Sequence, residues 1–412
     1  MRLTEEERAW LAGECEPGLR KAMEIVVALG KIYGAADTVA VSSVQVAGVS
    51  YKNLGDAGLD FLREWAKQGA RARVPSFLNP AGMDLRDWQR LGISDAFARR
   101  QLEVIDALTA MGAAPICSCT PYLVGPRPSP GEHLAWSESS AVSYANSVLG
   151  ARTNREGGPS ALAAAITGRT ARYGLHLPQN RRADVLVEVR CPVRTEADFG
   201  ALGYLVGRQV GRAIPYFRGL EVEVSNDGIV PPANVFLRAL GAAMAASGAV
   251  ALYHVEGVTP EARAEDMRRP DMRRVVVDGL APGYAALNTT PLDNVDLVSI
   301  GCPHASLEEI REIAGRIGGR RLATRLWVTT ARATKERVPE AVAAIEAAGG
   351  LVVADTCLVV APIEELGVRR LATNSAKAAF YAPGHSHVEV RFGPLSQCLE
   401  AALTGRWPGE RK

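Results

Sequence analysis

Apolar residues near the start of the chain recur at helical spacing and predict two helices, Glu5 to Gly13 and Gly18 to Gly30, with Thr4 and Glu7 in capping-box relation at the first. The rhythm then changes. Thr38 to Val46 alternates and is rich in valine, so it predicts a strand running into a small, glycine-bearing loop, Ala47 to Gly55. Asp56 to Gly69 reads as a helix, and Arg73 to Phe77 as a strand ending at the turn residues Asn79-Pro80-Ala81-Gly82. A long helical stretch, Arg86 to Met111, precedes an apolar run, Ala113 to Ile116, that predicts a buried strand leading to Cys119. Beyond the Pro/Gly-rich connection Val124 to Gly131, Trp136-Ser137-Glu138-Ser139-Ser140 is placed to cap a helix over Ala141 to Leu149. The polar run Gly150 to Gly158 then reads as the wall of a site.

From Ala183 the texture alternates: a strand at Val185 to Val189, a helix near Ala197 to Gly211, a strand at Leu220 to Val224, an alanine-rich helix, and a strand at Val250 to His254. The last part carries strands at Asp296 to Ile300, Arg325 to Thr330, Leu351 to Ala354 and Val388 to Phe392, with helices at Ser306 to Ile317 and Pro339 to Ala348 between them. Strand, helix and strand at this spacing are the signature of βαβ units. The expected organisation is α/β in three lobes, 1–180, 181–280 and 281–404, with a short tail over 405–412.

At 412 residues the chain is long enough for several cores, and 47% hydrophobic with 22% charged residues are globular values. A net charge of +2 gives no electrostatic footprint for nucleic acid. The acidic, amphipathic start has no signal-peptide pattern, and the longest apolar stretch, Ala239 to Val255, is broken by Gly241, Ser247 and Gly248. No membrane span is expected, and the cytoplasm is the expected compartment. There, seven cysteines point to reduced thiols, in which clustering signals metal or catalysis rather than disulfides.

Cys119, Cys302 and Cys357 share one position: each follows a predicted strand and sits beside small or turn-forming residues. In an open α/β sheet the carboxyl ends of strands form the ligand-binding crevice, so three soft ligands from three strand ends can converge. Three ligands leave a metal position open for substrate, whereas a structural zinc or closed cluster takes four. The plain alternative is that cysteine is simply a small buried hydrophobe. Cys117 is a rival ligand, since two residues along an extended chain face the same way, while Cys15, Cys191 and Cys398 read as structural. Glu138 is a candidate acid/base or hydrogen-bond partner for a substrate hydroxyl, and Lys377 with Arg152 or Arg155 are candidates for holding an anion. Of six histidines only His304 lies near a candidate ligand, and neither a Rossmann glycine pattern nor a Walker sequence is present.

Taken together, Gly48-Val49-Ser50-Tyr51-Lys52-Asn53-Leu54-Gly55, Cys119-Thr120-Pro121-Tyr122, the run from Trp136 through Asn154, Gly301-Cys302-Pro303-His304 and Thr373-Asn374-Ser375-Ala376-Lys377 resemble the aconitase X family over nearly the whole chain. The resemblance implies an aconitase-like catalytic subunit: three α/β lobes around a 4Fe-4S cluster with three cysteine ligands, mapping to Cys119, Cys302 and Cys357. It implies a substrate pocket lined by Gly48, Val49, Ser50, Asn79, Pro80, Glu138, Ser139 and Lys377. Aconitases also use a swivelling small domain that supplies the catalytic serine. About twenty residues follow Phe392, so that domain is expected as a separate small subunit.

Two activities are known in the family, dehydration of (R)-5-phosphomevalonate in the archaeal mevalonate route and of cis-3-hydroxy-L-proline in bacteria. The runs Asn154 to Pro159 and Tyr173 to Leu177 tilt the resemblance to the archaeal branch and a phosphorylated hydroxy acid. The alternatives are the hydroxyproline enzyme and, from another class, a non-catalytic scaffold subunit whose cysteines hold a closed zinc.

Overall fold

The computed structural model describes residues 1–409 apart from 126, 226–227, 230–232 and 290–292. Its framework is three parallel sheets, each flanked by helices. In the first, Val44–Val46 lies between Ser76–Leu78 and Ala135–Trp136, backed by the helices Pro17–Ile32 and Gly158–Thr167. The second runs in the order His254–Val255, Pro215–Arg218, Ala183–Val189, Arg268–Val277. The third has five strands in the order Leu351–Ala354, Arg325–Thr330, Leu297–Ala305, Arg370–Thr373, Glu389–Phe392. A parallel strand buried on both faces reads as a continuous apolar run, and Leu297–Ala305, Arg325–Thr330 and Leu351–Ala354 were legible for that reason, whereas Arg370–Thr373 was not expected.

The helices Glu196–Val210 and Ala233–Gly248 pack closely because glycines line their contact. A Cβ on Gly203 would stand 2.5 Å from the Leu240 carbonyl oxygen, and one on Gly248 would stand 2.1 Å from that of Gly207. One apolar core runs through Trp136, Phe199, Phe217, Tyr253 and Phe392 and joins the second and third sheets to the helix Ser139–Ser147. A second core, around Trp65, Leu78 and Leu108, serves the first sheet.

Several expectations are corrected. The run Ala113 to Ile116 is not a strand; Ala114 makes only an isolated bridge to Phe77, because Pro115 has no N–H to give a ladder and Cys117 turns away at φ 47°. The strand expected at Leu220 to Val224 lies earlier, at Pro215–Arg218. The strand Arg268–Val277 escaped a hydrophobic reading because its first eight residues are partly or fully exposed except Val275. The Thr38 to Val46 run is two strands, Thr38–Ala40 and Val44–Val46. The loop expected over Ala47 to Gly55 is helical from Tyr51, in a helix Tyr51–Lys67 that is interrupted at Gly55. The stretch Arg86 to Met111 splits at Gly92, left-handed at φ 79°, after which Ser94 caps the helix Asp95–Ala110.

The first and third parts are clasped together by charge. The Arg332 guanidinium reaches both Asp84 and Asp355, while Asp84 accepts the Ala354 N–H at 2.9 Å and the Ala81 N–H donates to the Asp355 carbonyl at 2.8 Å. This clasp brings the loop at Asn79-Pro80 against the chain that carries Cys357; Ala81 forms a parallel bridge with Thr356.

Candidate active site

The three cysteines reach one region by different routes. Cys119 lies in irregular chain, not at a strand end as expected. Cys302 sits inside Leu297–Ala305, where pairing with the neighbouring strand shifts between Ile300 and Ala305. Gly301 makes that shift possible: its φ is +95°, and a Cβ there would stand 2.2 Å from the Thr329 carbonyl oxygen. Cys357 follows Leu351–Ala354 after a left-handed Asp355 at φ 63°.

Burial raises all three thiols above the usual range. Cys119 is raised further by Glu138 and Cys357, and Cys357, pushed up to about 12, further by Cys302. At Cys302 burial is partly offset by Lys377 and by a hydrogen bond with Ser375. The three groups therefore sense one another's charge. Cys117 does not belong with them: it is buried beside Asp355 and Arg332, since the chain through 117 to 119 is not extended.

Facing the thiols is a buried ion pair. The Lys377 ammonium donates to the Glu138 carboxylate, which also accepts from Ser140 Oγ at 2.5 Å, from Ser139 Oγ at 3.3 Å and from the Ala141 N–H at 2.7 Å. Glu138 is the N-cap of the helix Ser139–Ser147, so its position follows from the local sequence. Burial opposes its charge, but Lys377 and these donors outweigh it and hold the carboxyl at about 2. Burial likewise opposes the charge on Lys377, and Glu138 with the nearby thiols reverses that, so the ammonium titrates well above its usual range. Glu138 is thus a fixed anion across ordinary pH.

The other expected residues lie on loops of the first part. Val49 and Ser50 are buried and Gly48 is exposed at φ 79°. The Ser50 hydroxyl donates to the Val360 carbonyl at 2.9 Å, which ties this loop to the one after Cys357. The Asn79 N–H donates to Val46 at 2.9 Å, while its Oδ1 is buried with no partner, as are Tyr122 Oη and Thr356 Oγ1. Buried acceptors left open in this way suit a bound polar ligand. Arg152 and Arg155 are not brought in: the Arg152 guanidinium lies near His133 and His176, whose protonation it disfavours, and Arg155 is exposed. The polar run they belong to is spent internally. Asn146 clamps Thr153, and Asn154 holds Tyr173 and Leu175.

Two glutamines went unnoticed in the sequence. Gln45 donates to the Ser118 carbonyl at 3.0 Å and accepts the Glu138 N–H at 3.3 Å; Gln101 accepts from Tyr51 and Gly82 and donates to Val49. Gln45 had a signal, a lone amide inside the valine-rich strand. His304 is wholly buried, neutral because burial lowers it to about 4, and bonded to Ser118 and Thr356.

Three soft donors that are costly to ionise when empty fit a metal group, because bound iron stabilises the thiolate that burial disfavours. Among the described residues no three His, Cys, Asp or Glu side chains stand in position to hold one ion.

Three helix-flanked parallel sheets, with thiols set near a lysine–carboxylate pair, define an aconitase-like α/β protein. The chain belongs to the aconitase X family, whose first, second and third domain models match residues 1–179, 183–280 and 295–404. It is 51% identical to the phosphomevalonate dehydratase large subunit of Methanothermobacter thermautotrophicus, covering 92% of this chain and 93% of the relative. It is 36% identical to the cis-3-hydroxy-L-proline dehydratase of Pseudomonas aeruginosa, covering 99% of this chain and 71% of that protein. A crystal structure of Thermococcus kodakaraensis aconitase X in its holo-form superposes with a TM-score of 0.88 at 45% identity, covering 98% of this chain and 100% of that one. No helix among the described residues is long and apolar enough to cross a membrane.

Proposed function

We propose that this chain is the large subunit of a hydro-lyase that dehydrates (R)-5-phosphomevalonate to trans-anhydromevalonate 5-phosphate. It would be completed by a small swivelling subunit that supplies a catalytic serine. The observation that carries the reading is the buried Glu138–Lys377 pair set against three mutually sensed thiols. The choice of substrate rests on the 51% identity to a phosphomevalonate dehydratase large subunit against 36% to a hydroxyproline dehydratase.

Cys119, Cys302 and Cys357 would hold a 4Fe-4S cluster, which when bound supplies a Lewis acid for the substrate hydroxyl. This chain's residues do the positioning. Glu138, held ionised, accepts the hydrogen bond of the hydroxyl that departs; with a carboxyl at about 2 it serves as an anchor rather than as the proton-removing base. Lys377 keeps that carboxylate in place and balances substrate charge as a point cation. Gly48, Val49, Ser50, Asn79, Pro80 and Ser139 line the pocket, with Asn79 Oδ1 free to accept a substrate O–H. The partner's serine would take the proton from carbon while the C–O bond of the adjacent hydroxyl breaks and a double bond forms, and that same proton, passed on to the departing hydroxide, completes the water.

Anaerobic reconstitution with iron and sulfide, with the small subunit present, tests the reading through water loss from (R)-5-phosphomevalonate. Turnover of cis-3-hydroxy-L-proline instead would overturn the substrate. Silence on both, with zinc bound in place of iron, would overturn the enzyme reading in favour of a metal-binding scaffold.

A further inference from the structure

The three cysteine-bearing segments are far apart in the chain, and one side chain touches all three. His304 stands two residues after Cys302. Its Nδ1 bonds Ser118 Oγ at 3.1 Å, beside Cys119, across 186 residues of sequence, and its Nε2 bonds the Thr356 carbonyl at 2.9 Å, beside Cys357, across 52. Its backbone N–H donates to Cys119 Sγ at 3.2 Å. The carbonyl of Thr356 can only accept, so Nε2 carries the proton; Nδ1 of the neutral ring is then an acceptor and the Ser118 hydroxyl donates to it. Ser118 Oγ in turn accepts the Thr120 N–H at 3.1 Å, which closes the turn around Cys119. The imidazole is wholly buried, so each bond is made out of water and each lost partner would stay unsatisfied.

We infer that His304 is a positioning residue whose ring pins the Cys119, Cys302 and Cys357 loops to one another, so that the three thiols are already placed for a metal group before it arrives. None of these loops is held in place by regular strand pairing through its cysteine: Cys119 is in irregular chain, Cys302 in the shifted part of its strand and Cys357 beyond the end of one. A fixed cross-brace supplies the constraint that pairing does not. This rests on the reading that the three cysteines hold the cluster.

The test uses the metal-free full-length chain and the alkylation rate of each cysteine by iodoacetamide, resolved by peptide mass spectrometry. In His304→Asn the amide reproduces the Nδ1 side and keeps Ser118 but loses Thr356; in His304→Gln it reproduces the Nε2 side and keeps Thr356 but loses Ser118. Loss of one buried hydrogen bond raises local opening about tenfold. The expected result is therefore a crossed pattern, with Cys357 faster by about tenfold in the Asn variant and Cys119 in the Gln variant. Cys15 and Cys398 should be unchanged. His304→Phe should accelerate both, and iron retained after anaerobic reconstitution should fall in the order wild type, then Asn and Gln, then Phe. A uniform rise at all seven cysteines, or no loop-specific change in the Asn and Gln variants, would overturn the pinning role, and these two variants decide it even if the Phe variant does not fold. Iron uptake in Cys302→Ala separates the two ideas. Wild-type uptake there would remove the ligand assignment and leave a crossed alkylation pattern standing, whereas lost uptake without the crossed pattern would remove the brace alone.

Discussion

Replacing Lys377 by Met keeps the length and apolar stem of the side chain and removes its charge, which leaves Glu138 as a buried anion without a counter-charge. Removing one member of a buried pair costs about 3–5 kcal/mol. Glu138 keeps its bonds from Ser139, Ser140 and the Ala141 N–H, which places the expected cost near the lower end, ~3 kcal/mol. For a chain of 412 residues, an unfolding entropy of about 2.1 cal/mol/K per residue turns this into a fall of roughly 3–4 °C in the melting temperature of the metal-free protein. Adding Glu138→Gln should recover about 2 kcal/mol of the loss, because the remaining group is then neutral and can still accept the Ala141 N–H. Calorimetry of wild type, both single variants and the double variant closes the cycle. If Lys377→Met costs under about 1 kcal/mol, or if the two changes simply add, the pair is not the buried unit described and the case for Glu138 as a fixed anion collapses. In the assembled enzyme both single variants should lose at least about a hundredfold in kcat, Glu138→Gln because the hydroxyl loses its charged acceptor and Lys377→Met because that acceptor loses the cation that helps to position it.

Cys302→Ala is expected to lose iron and turnover while the metal-free chain keeps its circular dichroism; full activity would contradict the ligand assignment. Arg332→Leu strands Asp84 and Asp355 in the clasp between the first and third parts and should cost about 3–5 kcal/mol, measured by chemical denaturation, with Asp84→Asn in the same chain restoring part of it. Glu196 lies outside the Glu138–Lys377 pair, although its charge helps to raise the Cys302 thiol. It lines a cavity of about 360 Å³ with Glu309, Glu312 and Asn374, and burial with Glu309 pushes its carboxyl up to about 8 while Arg238 opposes. Its folded pKa lies above the unfolded value, so the native state binds the extra proton and stability falls as pH rises from about 4.5 to 8. The shift sets a ceiling of ~5 kcal/mol, and partial exposure to solvent brings the expected loss to ~1–2 kcal/mol. Glu196→Gln should flatten that dependence in thermal melts between pH 5 and 8.5, and an unchanged slope would assign it to other groups.

The sequence by itself determined the elements whose signal is local. The capping box at Thr4 and Glu7, the helix set by Glu138, and the strands Arg325–Thr330 and Leu351–Ala354 were legible because capping and two-sided burial write their patterns into adjacent residues. The identity of the cysteines and of Glu138 and Lys377 as candidates was also readable, as residue types in motifs. The geometry was not. Cys117 and Cys119 look equivalent in the chain, and only a proline-broken, turned backbone sends Cys117 toward Arg332 and Asp355. Arg152 and Lys377 looked like equal anion partners, and only tertiary packing buries Lys377 on Glu138 while the Arg152 charge lies near His133 and His176. Gln45, Gln101 and His304 act through bonds to chain tens or hundreds of residues away. Such contacts have no period and no neighbouring residues to announce them, so the convergence of the site was decided only when the three sheets packed together.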